Sequence, residues 1–220
     1  MTIRRTQPLS DALSYIQDVF THEMPQLSSI RGTLTEQEEV MQISPVEGRL
    51  LQVIMALGQV RTVVEVGVLA GYSAIHMAQA LPEGGKIYAI DRMGTYIARA
   101  RQNAEACGVS DRIEFYEGEA IDVLPSLTQK GPFDMVFIDA DKGNYLRYLD
   151  WAEQNIRSGG IIVGDNSLLF GHVYLPECPP DIPESTYRVM RAFNERLADP
   201  ERYVSIIIPT LEGMTVAVRR

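Results

Sequence analysis

Two apolar runs of strand length end in oxygen donors. Phe133–Tyr145 reads FDMVFIDADKGNY and carries Asp139 and Asp141 after its run, and Gly159–Asn166 reads GGIIVGDN and ends in Asp165 and Asn166. Asp139, Asp165 and Asn166 offer hard oxygens with no histidine or cysteine beside them, a set that suits Mg²⁺, Ca²⁺ or Mn²⁺ and not a soft-ligand metal. An octahedral ion so held keeps about three positions for water or substrate oxygens. Lys142 follows at once; its amine could stabilise an alkoxide or phenolate or, neutral in a dry site, remove a proton. Taken alone, Asp141 reads as a helix N-cap, Asp165-Asn166 as a turn and Lys142 as a surface lysine. Acidic ends on two runs that a single crossover would place side by side favour the chemical reading.

Asp165 lies 26 positions beyond Asp139, which suits one βαβ crossover with the helix Tyr145–Ile156 carrying the chain back. Neighbouring strands lie about 4.8 Å apart and the crossover is right-handed, so both carboxylates project from one sheet edge, where open parallel sheets bind ligands. The sheet opens with the strand Thr62–Val66, a tight loop Gly67–Gly71 and the helix Tyr72–Leu81. This is the nucleotide-binding opening of doubly wound folds, although the spacing is GxxxG and not the GxGxxG of dehydrogenases. Loop glycines let backbone approach a ligand. Glu65, just before the loop, would repel a pyrophosphate but suits a ligand with an ammonium or sulfonium charge. The strand Lys86–Met93 brings Asp91, 20 residues past Gly71, near the offset of a ribose-binding acid. An adenosine-bearing cofactor is therefore expected, with a solvated loop aspartate as the alternative. The helix Tyr96–Cys107, the strand Arg112–Ala120 and a helix through Leu127 complete this half.

The flanking segments are helical before the sheet and loop-rich after it. Leu9, Leu13, Ile16, Val19 and Phe20 give one buried helical stripe over Leu9–His22, ended by Pro25. Pro45 starts a second helix with Leu50, Leu51, Ile54 and Leu57 on its apolar face and Gly58 as its stop. Beyond Asn166, Pro176, Pro179, Pro180 and Pro183 forbid a long helix and suggest a semi-rigid excursion over the site. Such loops choose substrates; His172 lies in this one, whereas His22 and His76 fall in expected helices with structural roles. The helix Tyr187–Leu197 precedes two strands, YVSIIIP and MTVAVRR, whose short TLEG connection reads as an antiparallel hairpin.

A chain of 220 residues with 45% apolar and 22% charged residues fits one large α/β domain over 1–220, with a helical cap over 1–58, a core over 59–220 and a substrate-side loop over 167–186. The net charge of −9 would repel extended nucleic acid, whose non-specific affinity comes from neutralised phosphates. No apolar run reaches membrane-span length and the N-terminus lacks a leader-like apolar core, so a cytoplasmic protein is expected. Cys107 and Cys178 read as free thiols.

The segments MQISPVEGRLL, VVEVGVLAGYSAIHMA, IYAIDR, FDMVFIDADKGNY, GGIIVGDN and IIPTLEGMTVAV together resemble the cation-dependent O-methyltransferases, the family of the caffeoyl-CoA and catechol enzymes, over nearly the whole length. The resemblance implies a class I methyltransferase fold: a Rossmann-like, doubly wound, seven-stranded, mostly parallel sheet with an antiparallel C-terminal hairpin. It further implies S-adenosyl-L-methionine as methyl donor, a divalent cation with Mg²⁺ foremost, a small hydroxylated aromatic acceptor and a homodimer. By position, Met41 and Ile43 match the N-terminal lid, and Glu65, Gly67, Val68 and Ser73 the donor's amino-acid end and loop. Asp91 matches the ribose position and Ala120 the adenine side. Asp139, Asp165 and Asn166 match the metal ligands, Asp139 also bordering the donor, and Lys142 the catalytic base. Asp141, Lys142, Phe170 and His172 would face the substrate. Phe170 stands where the plant coenzyme A ester enzymes carry asparagine, which points away from such esters, and Glu212 replaces the aspartate of the hairpin turn. The expected acceptor is a catechol-like vicinal diol. One rival is hydroxyuridine in transfer RNA, met by a basic face of Arg188, Arg191 and Arg196. Another is a non-catalytic adenosine-ligand sensor, against which the intact Asp139, Lys142, Asp165 and Asn166 argue.

Overall fold

The β-branched and aromatic runs of the sequence pair into one seven-stranded sheet in the order β3-β2-β1-β4-β5-β7-β6. The structure, a computed structural model, describes residues 9–220. In chain order the helices are α1 (Leu9–Phe20), α2 (Pro25–Arg31), α3 (Glu36–Glu39) and α4 (Pro45–Leu57). The core then alternates β1 (Thr62–Val66), α5 (Tyr72–Ala80), β2 (Lys86–Asp91), α6 (Gly94–Ala106), β3 (Ile113–Glu117) and α7 (Ala120–Leu127). It continues through β4 (Phe133–Ile138), α8 (Tyr145–Asn155), β5 (Ile156–Gly164), α9 (Glu184–Leu197), β6 (Tyr203–Ile208) and β7 (Met214–Arg219).

The strands β1 to β5 are parallel, and β7 runs antiparallel to both β5 and β6. The strand order reverses between β1 and β4, which opens a crevice above their C-terminal ends. One face of the sheet packs Val63, Met135, Ile161 and Val163 against α4 and α5. The other packs Val64, Val136, Ile138 and Ile162 against Leu149 of α8 and Met190 and Phe193 of α9. Each such apolar side chain taken out of water stabilises the fold by about 1.5–3 kcal/mol. The alternating burial of two covered faces is why β1, β4 and β5 read as continuous apolar runs.

Several boundaries depart from the sequence reading. Pro25 does not end the first helix but opens α2, where a missing N–H costs nothing. The polar stretch after Ile30 contains α3, started by a capping box between Thr35 and Glu38. The stripe on α1 is only partly covered: Val19 and Phe20 are exposed, and His22 lies beyond the helix. On α4, Leu51 and Ile54 are buried as expected, but Leu57 is 82% exposed. The third strand stops at Glu117, and Ala120 begins α7. Ile156 belongs to β5, whose pairing with β4 is irregular where Arg157–Gly159 precede the regular ladder, and α9 begins at Glu184, before Tyr187. Among the described residues, no helix is long and apolar enough to cross a membrane.

Candidate active site

The crevice at the switch between β1 and β4 holds a cavity of about 580 Å³. Met41, Ile43, Gly67, Val68, Ser73, Asp91, Ala120, Asp139, Asp141, Lys142, Asn166 and Phe170 all line it. Glu65 lies behind Ser73, fully buried, and Asp165, 4% exposed, adjoins Asn166. His172 departs from expectation: it does not line the cavity, and its Nδ1 is buried without a partner. Tyr72, Tyr96, Glu119 and Tyr148 line it without having been expected. Tyr148 carried no local signal: it follows Asp141 by seven residues, and only the fold brings its hydroxyl to that carboxylate.

The floor of the cavity is the loop after β1. Gly67 has φ +95°, and a Cβ there would lie 1.9 Å from the Asp139 carbonyl oxygen, so no side chain fits. Gly71, at φ +81°, caps α5. Asp91 is not a solvated loop acid: its Oδ2 accepts from the Val68 and Leu69 N–H groups at 2.9 and 3.0 Å, and its Oδ1 from Met93 N–H at 2.9 Å. Oδ1 keeps a lone pair for a further donor. Glu65 Oε1 accepts from the Ser73 hydroxyl at 2.5 Å, whereas Oε2 is buried with no partner. Burial pushes its carboxyl up to about 8, with Asp139 and Asp91 adding to the rise. An unpaired buried polar oxygen costs about 1–3 kcal/mol, and a cationic ligand group would relieve that cost by pairing with the ionised carboxylate.

The wall of the cavity is the adjacent ends of β4 and β5. Register pairs Ile138 with Gly164, so Asp139 and Asp165 follow in step. Asp139 N–H donates to Val66 O at 2.8 Å and Asp165 N–H to Ile138 O at 3.0 Å, carrying the ladder up to the acids themselves. Asn166 adopts φ +50°, a left-handed conformation asparagine tolerates. Both carboxyls are raised, Asp165 well above the ordinary value, chiefly by burial and then by Asp139 and Glu47. Asp165 Oδ1 is buried and unpartnered. Among the described residues no group of three or more His, Cys, Asp or Glu side chains is placed to hold a metal, so a centre here would rest on two aspartates and an amide oxygen. That set fits a hard divalent cation, which would take up the orphaned oxygen and offset the repulsion between the acids.

Lys142 is no free surface lysine. Its Nζ donates to the Tyr145 hydroxyl at 2.7 Å and lies 3.4 Å from Asp139 Oδ1. Asp141 does not use its side chain as a helix cap; it accepts from Tyr148 OH at 2.5 Å and from Asn144 Nδ2 at 2.6 Å. Above them Leu169 and Phe170 both have positive φ, near +50°, and the Phe170 ring is exposed at the cavity's mouth. Two bulky residues in succession held left-handed are strained, a pattern that gathers at functional sites.

The segment that brings Met41 and Ile43 to the cavity is tied down at both ends. Arg31 donates to Ile43 O at 2.5 Å, and Glu38 pairs with Arg99 at 2.5 Å. Glu47, in the capping box of α4 with Ser44, is buried close enough to raise Asp139 and Asp165.

A doubly wound sheet in this order, with an antiparallel last hairpin and a crevice over a glycine loop, is the architecture of the S-adenosylmethionine-dependent methyltransferases. The chain belongs to the O-methyltransferase family, whose profile matches residues 18–220. It is 38% identical to a catechol O-methyltransferase of Niastella koreensis over 162 residues, covering 72% of this chain and 73% of the relative. It is 35% identical to a caffeoyl-CoA O-methyltransferase of Eucalyptus gunnii over 222 residues, covering 96% and 88%. Among solved structures, the O-methyltransferase TomG of Streptomyces achromogenes in complex with SAM superposes with a TM-score of 0.82 at 30% identity, over 100% of this chain and 99% of that one. An O-methyltransferase of Bacillus cereus in complex with SAH gives 0.85 at 28% identity, over 96% and 97%. The protein is thus an S-adenosylmethionine-dependent O-methyltransferase.

Proposed function

We propose that the acceptor is a catechol-like small molecule with vicinal hydroxyls, methylated with the help of a divalent cation held by Asp139, Asp165 and Asn166. The observation that carries this reading is the pair of raised carboxyls at neighbouring strand ends, one with an orphaned buried oxygen, directly beside the Lys142 amine. The relative named as a catechol O-methyltransferase supports the acceptor class.

In this reading the donor's ammonium meets Glu65 and Ser73, its ribose meets Asp91, and Gly67 and Val68 bring backbone against it. Met41 and Ile43 close over it, and Ala120 borders the adenine. When bound, a divalent cation supplies positive charge that favours the ionised form of a nearby hydroxyl. Lys142 takes up that hydroxyl's proton, and Phe170 and Tyr148 flank the acceptor ring at the mouth. The remaining contribution is alignment: two bound molecules held with oxygen and methyl carbon in line. Phe170 leaves no polar contact for a coenzyme A ester at its position. Two of the three arginines that a transfer RNA acceptor would need are engaged, Arg191 by Leu175 O and Tyr187 and Arg196 by Asp150 and Glu153, which leaves Arg188, in an exposed pair with Glu184, as a single cation in place of a basic face. A mass-spectrometric methylation screen with Mg²⁺ over catechols, caffeate, caffeoyl-CoA, flavonoids and undermodified transfer RNA tests the reading. Methylated free catechols are expected; methylation confined to transfer RNA or coenzyme A esters would contradict it.

Glu65 gives the donor site a pH signature. Its folded value of about 8 lies above its ordinary 4.5, so the donor-free protein holds the proton at neutral pH and loses stability as pH rises through that window. A cationic donor favours the ionised form, so binding releases a proton. Donor affinity, measured by titration calorimetry, is therefore expected to rise between about pH 5 and 7 by up to about tenfold per unit, before the donor's own amine titrates near 8. In Glu65→Gln the slope disappears; a flat profile in the parent would refute the assignment.

We also propose a homodimer formed through one continuous apolar face. Val53 and Leu57 of α4, Val204 and Ile206 of β6, and Val218 of β7 are all exposed. Gly58 at the end of α4 packs on Ile161, whose register partner is Val218, so the helix and hairpin patches adjoin. Contiguous apolar surface of this kind marks an association site. Sedimentation at micromolar concentration should show the dimer, and Ile206→Lys should yield monomer.

A further inference from the structure

We propose that Tyr145 is the positioning residue for Lys142, its phenol oxygen holding the amine so that one vertex of the nitrogen faces the cavity. The inference rests on the reading of Lys142 as proton acceptor. Tyr145 is fully buried at the start of α8, where Phe193 packs edge-on to its ring at 5.1 Å. Its hydroxyl lies 3.0 Å from Asp165 O and 3.2 Å from Ile138 O, the carbonyls of two adjacent strand ends. The single phenolic proton is committed to those carbonyls, so the oxygen presents lone pairs to Lys142 and accepts from Nζ at 2.7 Å. With one N–H on Tyr145 and a second directed at Asp139 Oδ1, 3.4 Å away, the remaining vertex of the nitrogen is left to face the acceptor hydroxyl. The same phenol therefore indexes the amine to both strand ends that carry the acids. Without it, a four-carbon stem with a freely rotating head would sample many orientations, and misplacement by about an ångström costs roughly 10²-fold in rate.

The test is a double-mutant cycle on the full-length protein: Tyr145→Phe, which keeps the ring, in the parent and in Lys142→Ala, assayed with catechol and Mg²⁺. Tyr145→Phe alone is expected to lower kcat by about 10- to 10²-fold, with acceptor KM and calorimetric donor affinity close to the parent's and the thermal midpoint lowered by a few degrees, equally in both backgrounds, for the lost carbonyl bond. In the Lys142→Ala background it should lower kcat no further, because the group it positions is gone. An equal loss of kcat in both backgrounds would make Tyr145 a structural residue and overturn the inference, as would an undiminished kcat in the single variant. A harmless Lys142→Ala would overturn the underlying reading and this inference with it. A damaging Lys142→Ala with additive Tyr145→Phe would overturn this inference alone.

Discussion

Asp165→Ala is expected to lower kcat by about 10³-fold or more, since an electrophilic charge at the reacting oxygen is worth several kcal/mol, while the methyl donor still binds. Asp165 is 4% exposed, holds one oxygen with no partner, and follows β5 in step with Asp139 on β4. It makes no hydrogen bond to the glycine-loop side of the cavity, where Ser73 donates to Glu65 and the Val68 and Leu69 N–H groups donate to Asp91. Its loss should therefore divide the two functions of the cavity. Calorimetric donor affinity should stay near the parent's, and added Mg²⁺ should raise the thermal midpoint of the parent but not of the variant, because only the parent binds the ion in its folded state. A variant that kept the Mg²⁺-induced rise would show that the aspartate holds no cation.

Lys142→Ala should lower kcat by about 10²- to 10⁴-fold, the range of acid–base catalysis, with donor affinity unchanged. Lys142→Arg distinguishes two roles for the amine. A guanidinium keeps the charge but cannot accept a proton at working pH, so a lysine that acts as a base is not rescued by arginine. If arginine restored the rate, the amine would be an electrostatic stabiliser and its lone pair would have no part.

The acids at the strand ends are legible in the sequence because two-sided burial turns β4 and β5 into continuous apolar runs, and the first polar residue after each run must lie at the sheet edge. Glu65 and Gly67 stand out for a related reason: a charged residue inside a β-branched run and a glycine just beyond it are both costly unless something requires them. The steric reason for Gly67, the Asp139 carbonyl, depends on a neighbour 72 residues away in the chain and is visible only in the fold. The capping boxes at Thr35–Glu38 and Ser44–Glu47 were readable as S/T-x-x-E, yet α3 is too short and too polar for periodicity to reveal it. The approach of Glu47 to Asp139 and Asp165 comes from packing of the cap on the sheet, for which no local pattern exists.

Exposure is where periodicity misleads. Leu57 and Val19 fall on apolar stripes, but a stripe states only that something covers it, not that the same chain does. The arginines of α9 show the converse. Their spacing suggests a free basic face, whereas Asp150 and Glu153 of α8 take up Arg196 once the two helices pack, and Glu184, one turn earlier on α9 itself, pairs with Arg188. The role of Tyr145 was hidden because a tyrosine at the start of an amphipathic helix has an ordinary place in the core, and only the carbonyls that receive its proton distinguish it.

The central claim, that a cation held by Asp139, Asp165 and Asn166 takes part in methyl transfer, is tested most directly by assaying catechol methylation before and after exhaustive chelation. Turnover should vanish in excess chelator and return on titration with Mg²⁺. Full activity in excess chelator would contradict the account.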